Sequence, residues 1–247
     1  MMKTLPIALA VLSTTAFSQV SDKAGVVRYE SVRKLEIRLA DDDEVAGMLP
    51  RELKTVKELF FTSGQALFRA ADEQTEAEAF RESAGGNEIV IRIKEPELII
   101  YSDLNSRINT EQREFMSRYF LIETPTDTAR WKLTGNSKKI LDYNCLEAEL
   151  QGSHAVAWFA PDLNVSCGPE GYCGLPGLIL ALEVGEGERS YNAITVELKD
   201  PGTLARPDQG RKVSRREFDT LVAEKEKEME ESGNKGVFIR RIEEDTK

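Results

Sequence analysis

Three cysteines and one histidine are the scarcest reactive groups in this 247-residue chain. Cys145, Cys167, Cys173 and His154 could supply a thiolate or imidazole nucleophile, a disulfide, or ligands for a soft metal ion. A single imidazole rules out a multi-histidine zinc site built from this chain alone. His154 stands in HAVAWFA just past the Gly152-Ser153 turn, where a polar residue opening a strand is expected. A thiol site shared with Cys145 fails on distance. A tight hairpin sets His154 opposite residues near Leu150, which leaves Cys145 roughly 17 Å further along at the usual strand rise. No residue placed to orient a base stands out, so neither a Ser-His-Asp nor a Cys-His arrangement is expected.

Other stretches resemble sites only superficially. Asp41-Asp42-Asp43-Glu44 has the charge of a calcium cluster but lacks the alternate spacing and central glycine of a calcium loop, and reads as a solvated turn. Ser83-Ala84-Gly85-Gly86-Asn87 has neither the spaced glycines nor the Lys-Ser/Thr pair of a phosphate loop, and reads as a link into the next strand. With 43 acidic residues, a pair of carboxylates fit for acid-base work carries no information. No catalytic residue, metal ligand or cofactor is assigned.

The cysteines divide by context. Cys167 and Cys173 enclose Gly168, Pro169 and Gly171, residue types that let a chain fold back, whereas Cys145 lies in a strand-like run as a small hydrophobe. A bridge between Cys167 and Cys173 is expected, with a bridge from Cys145 to either as the rival. An odd count leaves one thiol over.

The elements that position these residues begin after an export signal. MMKTLPIALAVLSTTAFSQVS combines Lys3, a short apolar core and a small-residue cleavage pattern, so residues 1–18 read as a signal peptide. The apolar segment is shorter than the ~20 residues of a spanning helix, and no integral membrane segment is expected after cleavage. The protein is expected in the periplasm or secreted. A net charge of −10 repels phosphate backbones and anionic lipid, which argues against nucleic acid or a membrane surface as partner. Arg211-Lys212-Val213-Ser214-Arg215-Arg216 is the nearest thing to a basic patch and reads as a solvated helix entrance.

From Gly25 to about Asp200 short alternating segments follow one another, among them VVRYESVRKLEIRL, KELFFT, EIVIRI, FMSRYFLIET, ARWKLT, KKILDYNCLEAEL, HAVAWFA, LILALEV and NAITVEL. Hairpin turns are expected at Thr62-Ser63-Gly64-Gln65, Gly135-Asn136-Ser137-Lys138, Gln151-Gly152-Ser153 and Gly185-Glu186-Gly187. About ten antiparallel strands cannot stay flat, so the fold class is mainly β, a large curved sheet of half-barrel or barrel-like form. Residues 19–200 make this β domain. Residues 201–247 make a C-terminal extension, with a helix opened by a Ser214/Glu217 capping box, faced by Phe218, Leu221, Val222 and Met229, and lying on or beside the sheet.

Gly174-Leu175-Pro176-Gly177-Leu178-Ile179 spells the hexapeptide of the GLPGLI family of exported Bacteroidetes proteins. Trp131, the run from Lys139 to Ala148 with its Tyr143-Asn144-Cys145 centre, Ala157-Trp158-Phe159 and Gly168-Pro169 are similar to further parts of that family's pattern. The resemblance implies a β-rich periplasmic or secreted domain of uncharacterised function and transfers no catalytic residue. The cysteine bracket departs from the commoner pattern, so a bridge there is a local staple. Independently of the name, Gly174 and Gly177 permit angles or close approaches closed to other residues, and Pro176 fixes a dihedral. The loop therefore reads as a rigid corner feeding LILAL, a strand covered on both faces.

The expectation for function is a non-catalytic binding or accessory protein. Its concave sheet would hold an apolar small molecule, with Trp158, Phe159, Phe115 and Tyr119 as candidate ligand-face residues and at most three of the four on one cavity. An interaction module beside an outer-membrane transport or surface system, with an envelope protein as partner, is the first alternative. A thiol or metal-handling protein is the second.

Overall fold

A computed structural model describes residues 23–38, 50–72, 78–84, 87–93, 95–126, 130–231 and 236–238. The signal segment 1–18, the acidic run Asp41 to Glu44 and the Gly85-Gly86 pair lie outside the described residues. The strands are β1 (Gly25–Lys34), β2 (Glu36–Arg38), β3 (Glu52–Phe61), β4 (Gln65–Ala70), β5 (Glu78–Ala84), β6 (Asn87–Ile93), β7 (Leu98–Asp103) and β8 (Ile108–Phe115). They continue as β9 (Arg118–Pro125), β10 (Trp131–Ile140), β11 (Tyr143–Leu150), β12 (Ala155–Ala160), β13 (Leu178–Val184), β14 (Arg189–Leu198), β15 (Arg211–Val213) and β16 (Gly236–Phe238). Helix α1 (Arg215–Glu231) precedes β16.

Twelve strands form one curved, open sheet in the order β10-β11-β12-β13-β14-β1-β3-β4-β7-β8-β9-β15. All its pairings are antiparallel except that of β15 with β9. The hairpin β5-β6 and the pair β16-β2 stand apart from it. Val27, Leu59, Phe68, Ile100, Glu111 and Ile122 are directly opposite one another along six successive strands, so their side chains share one face. That inner face also carries Tyr29 and Tyr191, both fully buried.

Helix α1 covers one end of the inner face. Phe218 packs edge-on to Phe120 at 5.2 Å and to Phe115 at 6.0 Å, with Ile122 and Val222 buried beside them. Its capping box forms as the sequence predicts: the Ser214 amide donates to Glu217 Oε2 at 2.7 Å and the Glu217 amide to Ser214 Oγ at 3.2 Å. The segment before it holds the other face of β8 and β9, where the Gln209 amide donates to Gln112 Oε1 and Arg206 pairs with Glu123. The basic stretch expected at the helix entrance thus also contributes Arg211 to Val213 as a strand.

Two chain reversals differ from the expectation. FMSRYFLIET, read as one strand, is broken between Phe115 and Arg118 by Met116 and Ser117, both with positive φ. Gly135, read as the centre of a hairpin turn, sits instead in an irregularity inside β10, and the chain reverses at Leu141-Asp142. The turns at 62–65, 151–153 and 185–187 fall as expected. The run expected from Val26 divides into β1 and β2 at Leu35, and its last residue, Leu39, lies outside the described residues.

Candidate functional site

Residues 161–177 join β12 to β13 and do not run over the outside. Leu163, Val165, Cys167, Cys173 and Leu175 are buried in the main core among Tyr29, Phe68, Ile100 and Tyr191. A loop placed indoors must satisfy its backbone groups without water. This one does so in three ways. It bonds itself in tight i to i+2 turns, with the Val165 amide donating to the Leu163 carbonyl, Cys167 to Val165, and Gly177 to Leu175. It bonds the strand it feeds, with the Leu178 amide donating to the Leu163 carbonyl and the Ile179 amide to the Cys167 carbonyl, each at 3.0 Å. It is also held by side chains from distant strands: Trp131 Nε1 donates to the Cys173 carbonyl at 2.8 Å, and Asn109 Nδ2 to the Gly171 carbonyl at 2.9 Å.

The hexapeptide is the end of this plug. Gly174 has φ +100°, in the left-handed region, and its amide donates to Ser166 Oγ at 2.9 Å. A Cβ on Gly177 would lie 2.4 Å from the Ala160 carbonyl oxygen, so no larger residue fits. Pro176 is the centre of the Leu175-to-Gly177 turn, where its fixed φ suits the geometry. Residues 178–182 are buried at every position, as expected for the strand that follows. The Tyr29 hydroxyl, two strands away, donates to the Ile179 carbonyl at 2.7 Å, reaching across the small Ala193 that lies opposite it on β14.

A lane of charged side chains runs between the plug and helix α1. Glu170, at the short 3-10 turn of the loop, pairs with Arg189 at 3.1 Å and Arg33 at 3.7 Å and accepts the Tyr191 hydroxyl at 2.6 Å. Burial pushes its carboxyl up, but Arg189, Arg33 and Tyr191 outweigh burial and bring it down to about 2. Arg33 also reaches Glu95 at 3.3 Å, and Glu95 pairs with Lys57 and accepts Thr55 Oγ1. Further on, Glu111 is paired with Arg113 on its own strand and with Arg215 at the helix start. Burial raises the Glu111 carboxyl as well, and the two arginines turn the net shift downward.

The bridge expected between Cys167 and Cys173 is not formed: all three cysteines are free and buried. The Cys173 thiol donates to the Gly171 carbonyl at 3.3 Å, and Ser102 is hydrogen-bonded to it. Burial pushes Cys145 up to about 11 and Cys173 up to about 12, and raises Cys167, further helped by neighbouring Cys173. These are the properties of packed thiols. His154 is three-quarters exposed, 3.5 Å from Glu186. Among the described residues, no group of three or more His, Cys, Asp or Glu side chains could hold a metal ion.

The four candidate ligand-face aromatics are not brought together. Phe159 is fully buried in the main core, while Trp158 packs half-buried with Lys138 4.0 Å over its ring. Phe115 and Tyr119, expected on one strand face, lie on β8 and β9. Phe115 packs on Phe218, and the Tyr119 hydroxyl donates to Glu97 at 2.9 Å. The charged lane was missed by sequence reasoning. Its members come from seven separate segments, and nothing local marks them.

The fold and site together define an open, curved β-sheet domain packed around its own loop and C-terminal helix. Residues 151–181 match the model of a family described as a protein of unknown function (Porph_ging). No curated protein matches the chain. It is similar in structure to PNGF-II in crystals of space group P21, with 13% identity and a TM-score of 0.51, and in space group C2, with 12% identity and the same TM-score. Each likeness covers 81% of this chain and 33% of the other, so the chain spans a third of the length of those proteins and shares their fold over that part.

Proposed function

We propose that this chain is a non-catalytic, exported binding or accessory protein that holds a partner protein at the β10 end of its sheet. The observation that carries this reading is the filled interior: the loop 161–177 and helix α1 occupy the face where an apolar ligand was expected. Three of the seven large exposed apolar side chains among the described residues are on the β10-β11 hairpin, where Leu133, Leu141 and Leu146 are 55, 43 and 37% exposed. β10 is also a terminal strand of the large sheet. An apolar patch at a sheet end is the kind of surface that a protein segment covers. The resemblance of Gly174 to Ile179 and its flanks to the GLPGLI family, and the signal-like residues 1–18, support a place in the periplasm or outside the cell.

The test is site-specific photo-cross-linking in the native envelope, with the cross-linker at Leu133 or Leu146 and a control at Lys212, at the other end of the sheet. The expected result is one discrete adduct from both leucine positions and none from the control, with native mass spectrometry of the purified protein giving a bare mass. Absence of an adduct together with a co-purifying lipid-like mass would overturn this reading in favour of an apolar-ligand carrier.

A further inference from the structure

We draw no further inference here: the strongest candidate, the edge of β14 over residues 193–198, which β13 no longer pairs beyond Ala181 and Asn192 and where Ile194 and Leu198 are exposed, is an apolar strand edge with nothing in the structure to show what covers it.

Discussion

Trp131 and Asn109 stand nine strand positions apart in the sheet, yet they hydrogen-bond to carbonyls only two residues apart, those of Cys173 and Gly171. Nine strand spacings amount to about 43 Å in a flat sheet, whereas two residues of chain span at most about 7 Å. The two ends can meet one short piece of loop only if the sheet rolls around it. Curvature and plug are therefore one feature. The open roll is held by the loop it encloses, and the ring contact of Trp131 with Tyr172 at 6.2 Å adds to that hold.

Glycine 177 should be among the least replaceable residues of the chain. An added Cβ meets the Ala160 carbonyl oxygen at 2.4 Å and its carbon at 2.7 Å, both backbone atoms that cannot step aside. Gly177→Ala is expected to destabilise by about 3 kcal/mol, the upper end for forced overpacking. Gly152→Ala, at φ +79° but with nothing within 4 Å of the new Cβ, should cost only about 1 kcal/mol of backbone strain. Urea unfolding of the two variants compares them directly, and equal losses would contradict the close approach.

Glu170 gives the acid limb of the stability curve a definite sign. Its folded-state carboxyl, at about 2, lies below the ordinary value of 4.5. Its contribution is therefore complete above about pH 4.5 and is lost as the pH falls toward 2. Glu170→Gln should flatten the unfolding midpoint over that window. At pH 7 it should cost about 3–5 kcal/mol, because Arg33 and Arg189 then face an uncharged partner in a buried site. A variant whose midpoint falls as steeply with acid as the parent would show that other groups set the limb.

The strands were legible in the sequence because alternation survives wherever one face is buried, and the helix because Ser214 and Glu217 stand at capping-box spacing and Phe218, Leu221 and Val222 repeat at helical spacing. The missed reversals share one cause. Met116-Ser117 and Leu141-Asp142 turn the chain without glycine or proline: Met116, Ser117 and Leu141 all take positive φ, and tertiary pairing of the flanking strands imposes it. Gly135 misled in the opposite direction, as a glycine that serves an irregularity within β10. The corner role of the hexapeptide was readable from Gly174, Pro176 and Gly177, but the burial of the whole loop was not. It depends on Trp131, Asn109 and Tyr29, whose reach is a property of the rolled sheet. The charged lane was illegible for the same reason, since Arg33, Glu95 and Glu170 are far apart in sequence and meet only in space.

The thiols should behave as core residues. With Cys145, Cys167 and Cys173 buried and all raised above the ordinary thiol range, little thiolate forms at pH 8. Iodoacetamide is expected to leave the native protein almost unlabelled over a period that modifies all three cysteines in denaturant. A loss of two mass units before denaturation, with only one cysteine then available, would contradict the free-thiol arrangement.

The central claim is that residues 161–177 fill the roll as part of its core. Native-state hydrogen exchange followed by mass spectrometry tests it directly. The account predicts that amides from Leu163 to Ile179 exchange as slowly as those of β13 and β14, opening only with the sheet itself. Fast exchange of 163–175 while β13 and β14 stay protected would contradict it, marking the loop as a movable lip over an interior that a ligand can enter.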